Sequence, residues 1–464
     1  MTGVRLPQAR ADARRGRAGD LRWRTRRGNW GWRPLLLALG LAALPGASRA
    51  DDLLDLYHQA RRADPVLAAA DAARGIVREG VDQARAPLLP QASALFGLEQ
   101  SHVGGDAADA AERNRNRALS AGLSQVVVDL GRVAQLRSAE ARAAAQDDVY
   151  RAAEQTLVVR VATAYFDVLS AADALANVQA NEDAFSQQVE QADERFRQGL
   201  TALVDVEQAR AYHAAARAET IGAHTALADA REALAELTGL PPGELKTLRD
   251  DVPLDAPAPA DPQAWVDAAL AHHPLLQAQR AGVTAAERDI DAARSGHLPT
   301  LNAALGVGRN SAWPAASGAN DGRTVTTVGL LLNVPLFAGG ATQSRVRQAL
   351  HERDAARDDL EARRRRVARD TLDQYRSVVA GIGQTGATRA AVEAARNALA
   401  STRVGRQLGT QSMTDLLLAI QTLASAQNQY TLVRHRFVLS RLRLQQSVGA
   451  VGETDLAAIN ALLQ

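Results

Sequence analysis

Three short stretches of this sequence contain residue types that bind ligands or metals in other proteins. The glycines of residues 381–386 spell G-x-G-x-x-G, which binds dinucleotides only where it follows a strand and opens a helix. Here the motif interrupts a long helical pattern and favours a flexible or kinked helix. His272 and His273 stand before a proline at a helix end, without further ligands at metal-binding spacing. The four arginines of residues 363–366 would spread around a helix and indicate a surface that is solvated or salt-bridged to another helix.

No grouping of side chains in the sequence supplies a nucleophile, a base and an orienting residue. The sequence therefore predicts a protein that is not an enzyme and that uses no cofactor and no metal. Its function must be sought in the elements that contain these residues, which are long helices and a few short strands.

The first fifty residues differ in composition from the rest of the chain. They contain eleven arginines and two aspartates, and an apolar core at residues 34–44 is followed by small residues ending at Ala50. A basic region, an apolar core and a small-residue cleavage site occur in this order in secretory signal peptides. We therefore predict a signal peptide over residues 1–50, and the arginine pair at 26–27 leaves twin-arginine export open as an alternative. The apolar core argues against a basic tail that binds nucleic acid.

The mature chain is mildly acidic and lacks cysteine. Removing residues 1–50 changes the formal net charge from +2 to about −7, because eleven arginines and two aspartates leave with them. This charge gives no reason to expect a nucleic-acid partner. The absence of cysteine excludes a disulfide framework and a lipid-anchored cysteine at the mature N-terminus. No apolar run approaches the roughly 20 residues of a membrane-spanning helix.

The same landmarks occur twice along the chain, about 210 residues apart. Seven pairs recur in the same order: Pro65 and Pro274, Pro90 and Pro299, Gly122 and Gly329, Tyr165 and Tyr375, Gly199 and Gly409, Asp205 and Asp415, Gly239 and Gly449. Chance could supply one or two such matches, but this ordered set indicates an internal duplication. We predict a first repeat over residues 51–252, a proline-rich linker over 253–262 and a second repeat over 263–464.

Each repeat contains two short stretches in which apolar residues alternate with small or polar ones. These stretches predict strands at residues 91–100, 118–128, 299–309 and 325–335. The alternation is typical of a membrane barrel with lipid outside and water inside, although a soluble sandwich strand would share it. Four strands cannot close on themselves, since known membrane barrels need at least about eight. Several copies must therefore combine, and the count leaves dimer, trimer and tetramer open.

Long helices fill the rest of each repeat. Residues 131–197 and 341–407 contain no proline, and a helix of about 67 residues spans roughly 100 Å. In the last long helix, large residues recur every seven positions with mostly small residues between them: Leu416, Leu423, Tyr430, Phe437 and Leu444. Such a seam predicts coiled-coil packing of slender helices.

Two proline-containing stretches mark where a helix gives way to a strand. In ARAPLLPQ, Pro87 and Pro90 should stop a helix, because each lacks an N–H and its ring clashes one turn back. In ARSGHLPT, Pro299 remains and Gly296 stands near the place of Pro87. Because a residue before proline favours extended backbone, we predict that both stretches are helix-to-strand junctions.

Five stretches and their order carry a resemblance to a known family: YHQARRADP, QARAPLLPQ, TAYFDVLSA, ERFRQGLTALVDVEQAR and DAARSGHLPTL. Together with the duplicated strand–helix plan, they make the mature chain similar to the TolC family of outer-membrane efflux and secretion channels. The resemblance implies a mainly helical fold with a β-barrel portion. Four strands from each chain of a homotrimer would build one 12-stranded outer-membrane barrel, which a long α-helical periplasmic barrel of coiled coils would continue.

The resemblance also implies transport without catalysis. A channel-tunnel of this family is the exit duct for type I protein secretion or multidrug efflux. It docks onto a periplasmic adaptor protein and an inner-membrane ABC or proton-driven transporter, while its barrel contacts outer-membrane lipid. The absence of a lipid-anchor cysteine favours the secretion-type branch. The alternative is a non-conducting periplasmic coiled-coil scaffold, although a scaffold would have no use for lipid-facing strand positions.

By the same resemblance, two short turns lie at the periplasmic end of the tunnel and meet the adaptor. They correspond to Gln198, Gly199 and Leu200 in the first repeat, and in the second to Leu408, Gly409 and Thr410. The glycines would also cap the preceding helices, as they would in any helical hairpin. Both roles can hold at once.

The resemblance further implies a gate at the tunnel entrance. Asp415 matches the first of two entrance aspartates, and three copies around an axis would form an acidic ring that favours cations. Close like charges should raise its pKa. Leu418 stands where the second aspartate is frequent, while Arg406 and Gln411 stand where some relatives have a latching aromatic and arginine. Asp205 could pair with Arg406, so we expect closure through a different set of contacts.

Overall fold

The computed structural model describes residues 52–102, 113–312 and 321–464, so the predicted signal peptide lies outside the described residues. The described chain is mostly helical and contains one antiparallel sheet of four strands. None of the helices in these ranges is both long and apolar enough to cross a membrane.

The described elements follow the same order in the two halves, namely two short helices, two strands and two long helices. In the first half they are α1 (Leu53–Ala63), α2 (Pro65–Arg85), β1 (Gln91–His102), β2 (Arg113–Val128), α3 (Leu130–Arg197) and α4 (Leu203–Thr238). In the second half they are α5 (Pro262–His272), α6 (Pro274–Arg294), β3 (Thr300–Ala312), β4 (Asp321–Asn333), α7 (Ala341–Gln407), α8 (Met413–Val448) and the additional short α9 (Glu453–Asn460).

Aspartates and prolines begin two of the short helices. Asp64 accepts a hydrogen bond from the backbone N–H of Leu67, and Pro65 is the first residue of α2. Asp261 caps α5 through its side chain, with Pro262 as the first residue. Proline suits this position because the first N–H groups of a helix have no partner within it.

Both helix-to-strand junctions have the same construction. A single 3-10 turn follows α2 and α6, and a strand begins three residues after each turn ends. Pro87 lies in the first turn. Gly296 lies in the second, where a Cβ would come within 2.9 Å of the Thr342 Cγ2 methyl. Pro90 and Pro299 directly precede the strands, so all three junction prolines lie between a helix and a strand.

The strands pair in chain order, each antiparallel to the next. They extend further at the hairpin ends than the predicted ranges, since β1 reaches His102 and β4 begins at Asp321. The polar residues there pair through the same backbone hydrogen bonds, which side-chain alternation does not reveal. At the other end, β3 begins after Pro299 and β4 ends before Pro335, because proline has no N–H to donate. The predicted strands exist, with these corrected bounds.

The two faces of the sheet differ in polarity. The apolar face exposes large hydrophobic side chains from all four strands: Phe96, Leu98, Leu119, Leu123, Leu305, Val328, Leu330 and Leu332. The polar face lines an open cavity of about 1000 Å³ with residues that are mostly small or polar, among them Ser93, Ser120, Gly122, Gly306, Gly308, Asn310, Arg323 and Thr327. Within the described residues, β1 and β4 each have one edge to which no strand is paired.

The long helices form two hairpins that pack side by side. α3 packs along α4, α7 packs along α8, and α3 also contacts α8. At 68 and 67 residues, α3 and α7 each span roughly 100 Å. Tyr165 and Phe166 of α3 are fully buried in the main apolar core, which includes residues of α1, α4 and α8. In the predicted seam of α8, Leu416, Phe437 and Leu444 are buried.

The glycine motif of residues 381–386 lies inside α7, which continues through it without a break. Gly381 is buried, and a Cβ there would come within 3.0 Å of Phe437 Cδ2 on α8. A Cβ at Gly383 would have no neighbouring atom within 4 Å. The first glycine therefore permits close helix packing, and the structure has a continuous helix where the sequence favoured a flexible or kinked one.

Candidate functional site

The two hairpins end in turns of the same construction, which we call the first and second tips. Residues 198–202 join α3 to α4 in the first tip, and residues 408–412 join α7 to α8 in the second. Gly199 and Gly409 have φ angles of 69° and 76°, in the left-handed region that favours glycine. The predicted helix-ending role of both glycines is therefore present in the structure.

Each tip is closed by a hydrogen bond that spans five residues. The N–H of Leu200 donates to the Arg195 carbonyl, and the N–H of Thr410 donates to the Gly405 carbonyl, both at 2.8 Å. Gly405 leaves room for the second tip, because a Cβ there would come within 2.6 Å of Gln411 Cγ. The sequence did not predict this role of Gly405. The one sign of it in the sequence is a glycine in the last turn of a long helix.

Both tips expose apolar side chains. The side chains of Leu200 and Leu408 are 64% and 75% exposed, and Leu203, Val204 and Val404 beside them are also exposed. Clustered apolar groups on a surface are typical of sites that bind another protein. The tip residues predicted from the resemblance, including Gln198, therefore lie on accessible turns with apolar contact area.

A buried apolar cluster holds the two tips together. Its members come from α3, α4, α7 and α8: Phe185, Ala192, Val206, Ala209, Ala216, Leu399, Met413, Leu416, Leu417 and Ile420. Met413, the first residue after the second tip, is almost fully buried. The Thr414 hydroxyl adds a polar contact, because it donates to Gln208 Oε1 of α4 at 2.8 Å. The tips of one chain are thus tied to each other by packing.

Asp415 belongs to a capping box at the start of α8. The N–H and hydroxyl of Ser412 donate to Asp415 Oδ2 at 2.9 and 2.6 Å, and the Asp415 N–H donates back to Ser412 Oγ at 3.1 Å. The hydrogen bonds from the side chain and backbone of Ser412 lower the pKa of the exposed Asp415 carboxyl. In the single chain the cap therefore stabilises the charged form, while the rise expected from three neighbouring carboxylates stays a prediction for the trimer.

Asp205 has the equivalent position in α4, as the third residue of the helix. Its carboxylate accepts a hydrogen bond from the Thr201 hydroxyl. Burial lowers the pKa of the Arg406 guanidinium, and the nearby Asp205 carboxylate opposes this shift only in part. Asp205 and Arg406 therefore interact electrostatically, although they form no ion pair within 4.0 Å.

Leu418 and Gln411 bring no charge to the gate positions. Leu418 is 55% exposed on α8. It lies in a shallow groove between α7 and α8 that is lined by small and polar residues: Thr388, Ala391, Gln421, Thr422, Ser425, Ala426 and Gln429. Gln411 is exposed and packs over Gly405. Of the five predicted gate residues, only Asp205, Arg406 and Asp415 can form charged contacts.

The other stretches that stood out in the sequence have structural roles. Glu361 accepts hydrogen bonds from Arg364 and Arg365 at 2.7 and 2.8 Å, so these ion pairs lie within α7 rather than between helices, on an exposed surface. His272 is the last residue of α5, and His273 separates α5 from α6. In the three described ranges, no group of three His, Cys, Asp or Glu side chains could hold a metal ion.

A sheet with one apolar face leads directly into helical hairpins of roughly 100 Å that end in accessible tips. This architecture defines the class of outer-membrane channel proteins with a helical tunnel. The sequence model described as outer membrane efflux protein matches residues 56–240 and 265–450, and the chain belongs to that family. Proteins of this family are channels and efflux components, not enzymes.

Individual relatives are similar over most of their length. The chain is 34% identical over 435 residues to outer membrane protein TolC of Vibrio cholerae serotype O1, covering 93% of this chain and 98% of that protein. It is 27% identical over 443 residues to proteases secretion protein PrtF of Dickeya chrysanthemi, covering 93% and 95%. The solved structure of outer membrane protein VceC from Vibrio cholerae has the same fold, with a TM-score of 0.74 at 21% identity, covering 86% and 96% of the two chains.

Proposed function

We propose that this protein is the outer-membrane exit duct of a type I protein secretion or multidrug efflux system. Membership of the outer membrane efflux family and similarity to TolC and PrtF support this role. Three chains assemble around one axis, so that their sheets close a 12-stranded barrel and their helices form one tunnel. The duct conducts substrate without catalytic chemistry, and the pump and adaptor select the substrate.

One observation carries the proposal, namely a sheet that is open at both edges and apolar on its exposed face. Within the described residues, β1 and β4 each present a row of unpaired backbone groups at one edge. In lipid such groups must be paired, because no water is available to them. Joining β4 of one copy to β1 of the next pairs both edges. Three copies then supply twelve strands, which is within the range of membrane barrels.

The tips supply the surface that docks to a periplasmic adaptor. The exposed side chains of Leu200 and Leu408 offer apolar contact area, and the left-handed glycines beside them give both tips a defined shape. The adaptor in turn connects the duct to an inner-membrane ABC or proton-driven transporter. Packing between the hairpins supports this role, because a preformed surface loses little conformational freedom on binding.

The gate of the duct lies at the same end and comprises Asp205, Arg406, Gln411, Asp415 and Leu418. Three copies of Asp415 around the axis favour cations. The Ser412 cap supports this role, because it keeps the carboxylate of each copy charged. Closure relies on Asp205 and Arg406 rather than on an aromatic and an arginine at the latch positions.

The proposal extends to the organisation of the chain. A signal peptide over residues 1–50 directs export, and the mature chain consists of repeats at 51–252 and 263–464 joined by a linker at 253–262. The two matches of the family model and the repeated order of elements support this division.

Gel migration and planar-bilayer recording test the proposal. Unheated outer-membrane fractions should contain an SDS-resistant trimer that heating converts to the monomer, and the purified trimer should conduct ions. Val328→Arg, midway along the apolar face, should prevent membrane assembly, because a charge near the bilayer centre costs about 2–4 kcal/mol. The matched variant Thr327→Arg on the polar face should still assemble and should change only the conductance. A soluble, non-conducting monomer would indicate the coiled-coil scaffold instead.

A further inference from the structure

Arginines lie on the apolar face of the sheet near its hairpin end, where Arg115, which pairs with Gln100, precedes Arg117 on the same face of β2. Arg117 of β2 alternates in step with the exposed Leu119 and Leu123, and Arg309 of β3 alternates in step with the exposed Leu305. Both arginines are exposed. Charged side chains are unfavourable on a lipid-facing surface unless they lie close to the polar headgroups. Their position therefore calls for a polar partner.

The register of the sheet brings these two arginines together. Arg309 pairs with Leu119, and Arg117 pairs with Ser311, so the two arginines are diagonal neighbours on adjacent strands. Diagonal neighbours on one face of a sheet are about 7–8 Å apart, a span that two long side chains can bridge to one ligand. On β1, Leu98 is the residue paired with Arg117, which gives the arginines an apolar flank.

The Arg309 side chain points toward the hairpin end of the sheet. Its partner on β4 is Thr324, but its guanidinium lies over Gly322, two residues nearer the hairpin. A Cβ at Gly322 would come within 2.9 Å of Arg309 Nη2. The charged group of Arg309 thus reaches toward the hairpin end of the strand and away from Leu305, as expected of a long side chain at a membrane interface.

The distance of the arginines from the helix end of the sheet matches the height of the apolar band of a membrane barrel. From Leu301, at the helix end of the apolar face, the strand rises about 27 Å to Arg309. With the 35–45° tilt of barrel strands, this rise corresponds to roughly 20 Å of height, and the apolar band of such barrels is about 25 Å tall. The helices leave the sheet at the opposite end. The arginines are therefore at the outer-leaflet headgroups if the helices are periplasmic.

The charge on this part of the apolar face is positive. Glu99 pairs with Asn116 on the polar side, whereas Asp321 pairs with Ser311, the partner of Arg117, so the register places one acidic residue in line with Arg117. Arg115, Arg117 and Arg309 outnumber this acidic residue, so the formal charge of this part of the sheet is positive. An anionic group from outside the chain would balance this surplus of positive charge.

We propose that Arg117 and Arg309 bind the phosphate groups of a phosphorylated lipid in the outer leaflet. Each planar guanidinium can bind phosphate oxygens with two parallel hydrogen bonds. Phe96 and Leu98 of β1 lie beside the arginines and contact the acyl chains of the same lipid. The inference rests on the proposed outer-membrane function, which sets the orientation of the sheet, and three copies of the chain give three sites around the barrel.

Thermal dissociation of the purified trimer tests this site, with lipid A as the phosphorylated probe. Lipid A should raise the temperature of the trimer-to-monomer transition by roughly 3–5 °C, because a ligand that binds only the native state stabilises it. Inorganic phosphate and a zwitterionic phosphatidylethanolamine should have no effect. The shift should disappear in R117Q/R309Q and persist in the control Arg323→Gln, which alters an arginine on the polar face. R117K/R309K should retain only part of the shift, because lysine keeps the positive charge but lacks the planar guanidinium that forms two parallel hydrogen bonds with phosphate.

Three outcomes would overturn the inference. The first is an equal lipid A shift in the wild type and in R117Q/R309Q, with both migrating as unheated trimers. The second is an equal shift with inorganic phosphate, which would make free phosphate the ligand rather than a lipid. The third is a normally conducting wild-type trimer that does not respond to lipid A. A wild-type protein that neither forms trimers nor conducts would instead contradict the proposed channel function.

Discussion

Asp205 and Asp415 occupy the same position in two equivalent hairpins, but hydroxyl groups from different positions hold their carboxylates. Asp205 accepts a hydrogen bond from Thr201, whereas Asp415 accepts one from Ser412. Of these two aspartates, Asp415 alone also receives the N–H of the N-cap residue, so α8 begins with a capping box and α4 does not. The duplicated sequence has therefore diverged at the point where the proposed gate lies.

Ser412→Ala should make the charge of Asp415 easier to lose. The Ser412 hydroxyl bond lowers the pKa of the Asp415 carboxyl, so its removal moves that pKa back toward the usual value. A carboxyl with a lowered pKa stays charged until the pH falls through that pKa. Cation selectivity, measured as a reversal potential across planar bilayers, should therefore be lost at a higher pH in Ser412→Ala than in the wild type. Thr414→Ala is the control, and identical pH profiles for Ser412→Ala and wild type would contradict this role of the cap.

Asp415→Ala should reduce the preference for cations and change the single-channel conductance. Three carboxylates around one axis attract cations and repel anions, so their removal should bring the permeability ratio close to one. Asp229→Ala, at an exposed position on α4 away from the tips, should leave both quantities unchanged. Unchanged conductance and selectivity in Asp415→Ala would remove this residue from the gate.

Gly409→Ala should loosen the second tip. Because its φ is 76°, a side chain there costs about 1–2 kcal/mol. Hydrogen exchange of the Thr410 amide, which donates across the tip, should accelerate at least about fivefold. Gly222→Ala lies inside α4 with nothing within 4 Å of the new Cβ, and it should leave this amide unaffected. Equal exchange rates in both variants would show that glycine is not required at the turn.

His435 should make the fold less stable in acid. Burial and, to a lesser extent, Arg434 lower its pKa from 6.5 to about 4, and Nδ1 lies 2.8 Å from Ser170 Oγ. The folded chain therefore binds fewer protons than the unfolded chain between these values. The neutral ring contributes up to about 3 kcal/mol of stability that is complete above pH 6.5 and is lost as the pH falls toward 4.

Urea unfolding at pH 7 and pH 5 measures this effect. His435→Gln removes the titrating ring and should show a smaller loss of unfolding free energy between the two pH values than the wild type. His351→Gln is the control, because His351 is exposed. A pH dependence in His435→Gln equal to that of the wild type would assign the acid sensitivity to other groups.

Gly381→Ala and Gly383→Ala should have opposite effects on stability. The new Cβ at Gly381 would meet Phe437 Cδ2 at 3.0 Å, so α7 and α8 would have to separate. At Gly383 the Cβ meets nothing, and the gain in helix propensity should stabilise the protein by up to about 1 kcal/mol. Melting temperatures of the two variants and the wild type measure these effects. A melting temperature of Gly381→Ala above that of the wild type would contradict close packing at this position.

Much of the fold follows from local patterns in the sequence. Alternation located the four strands, the long runs without proline located α3 and α7, and Pro87, Pro90 and Pro299 located the junctions. These features depend on covalent spacing and on the missing N–H of proline, so they can be read without knowing the fold. The ends of the strands could not be predicted in this way. The polar residues near the hairpins pair through backbone hydrogen bonds, which leave no pattern in the side chains.

The details of the candidate site depend on contacts that form only when the chain closes. Gly405 gives no signal of its role until Gln411 folds back over it. In the single chain the pKa of Asp415 depends on which hydroxyl comes within reach at the tip, and the Ser412 hydroxyl lowers it. Likeness between the repeats could not reveal this, because Ala202 stands where Ser412 stands in the second repeat.

The sequence by itself determined the duplicated plan, the alternation of the strands, the junctions and the glycine turns, because each depends on neighbouring residues and on their own backbone chemistry. Only the tertiary structure decided that Arg117 and Arg309 are neighbours, that Gly381 admits Phe437, and that the two tips share one apolar cluster. Contacts of this kind join residues far apart in the chain. They depend on strand register and helix packing, which local periodicity does not specify.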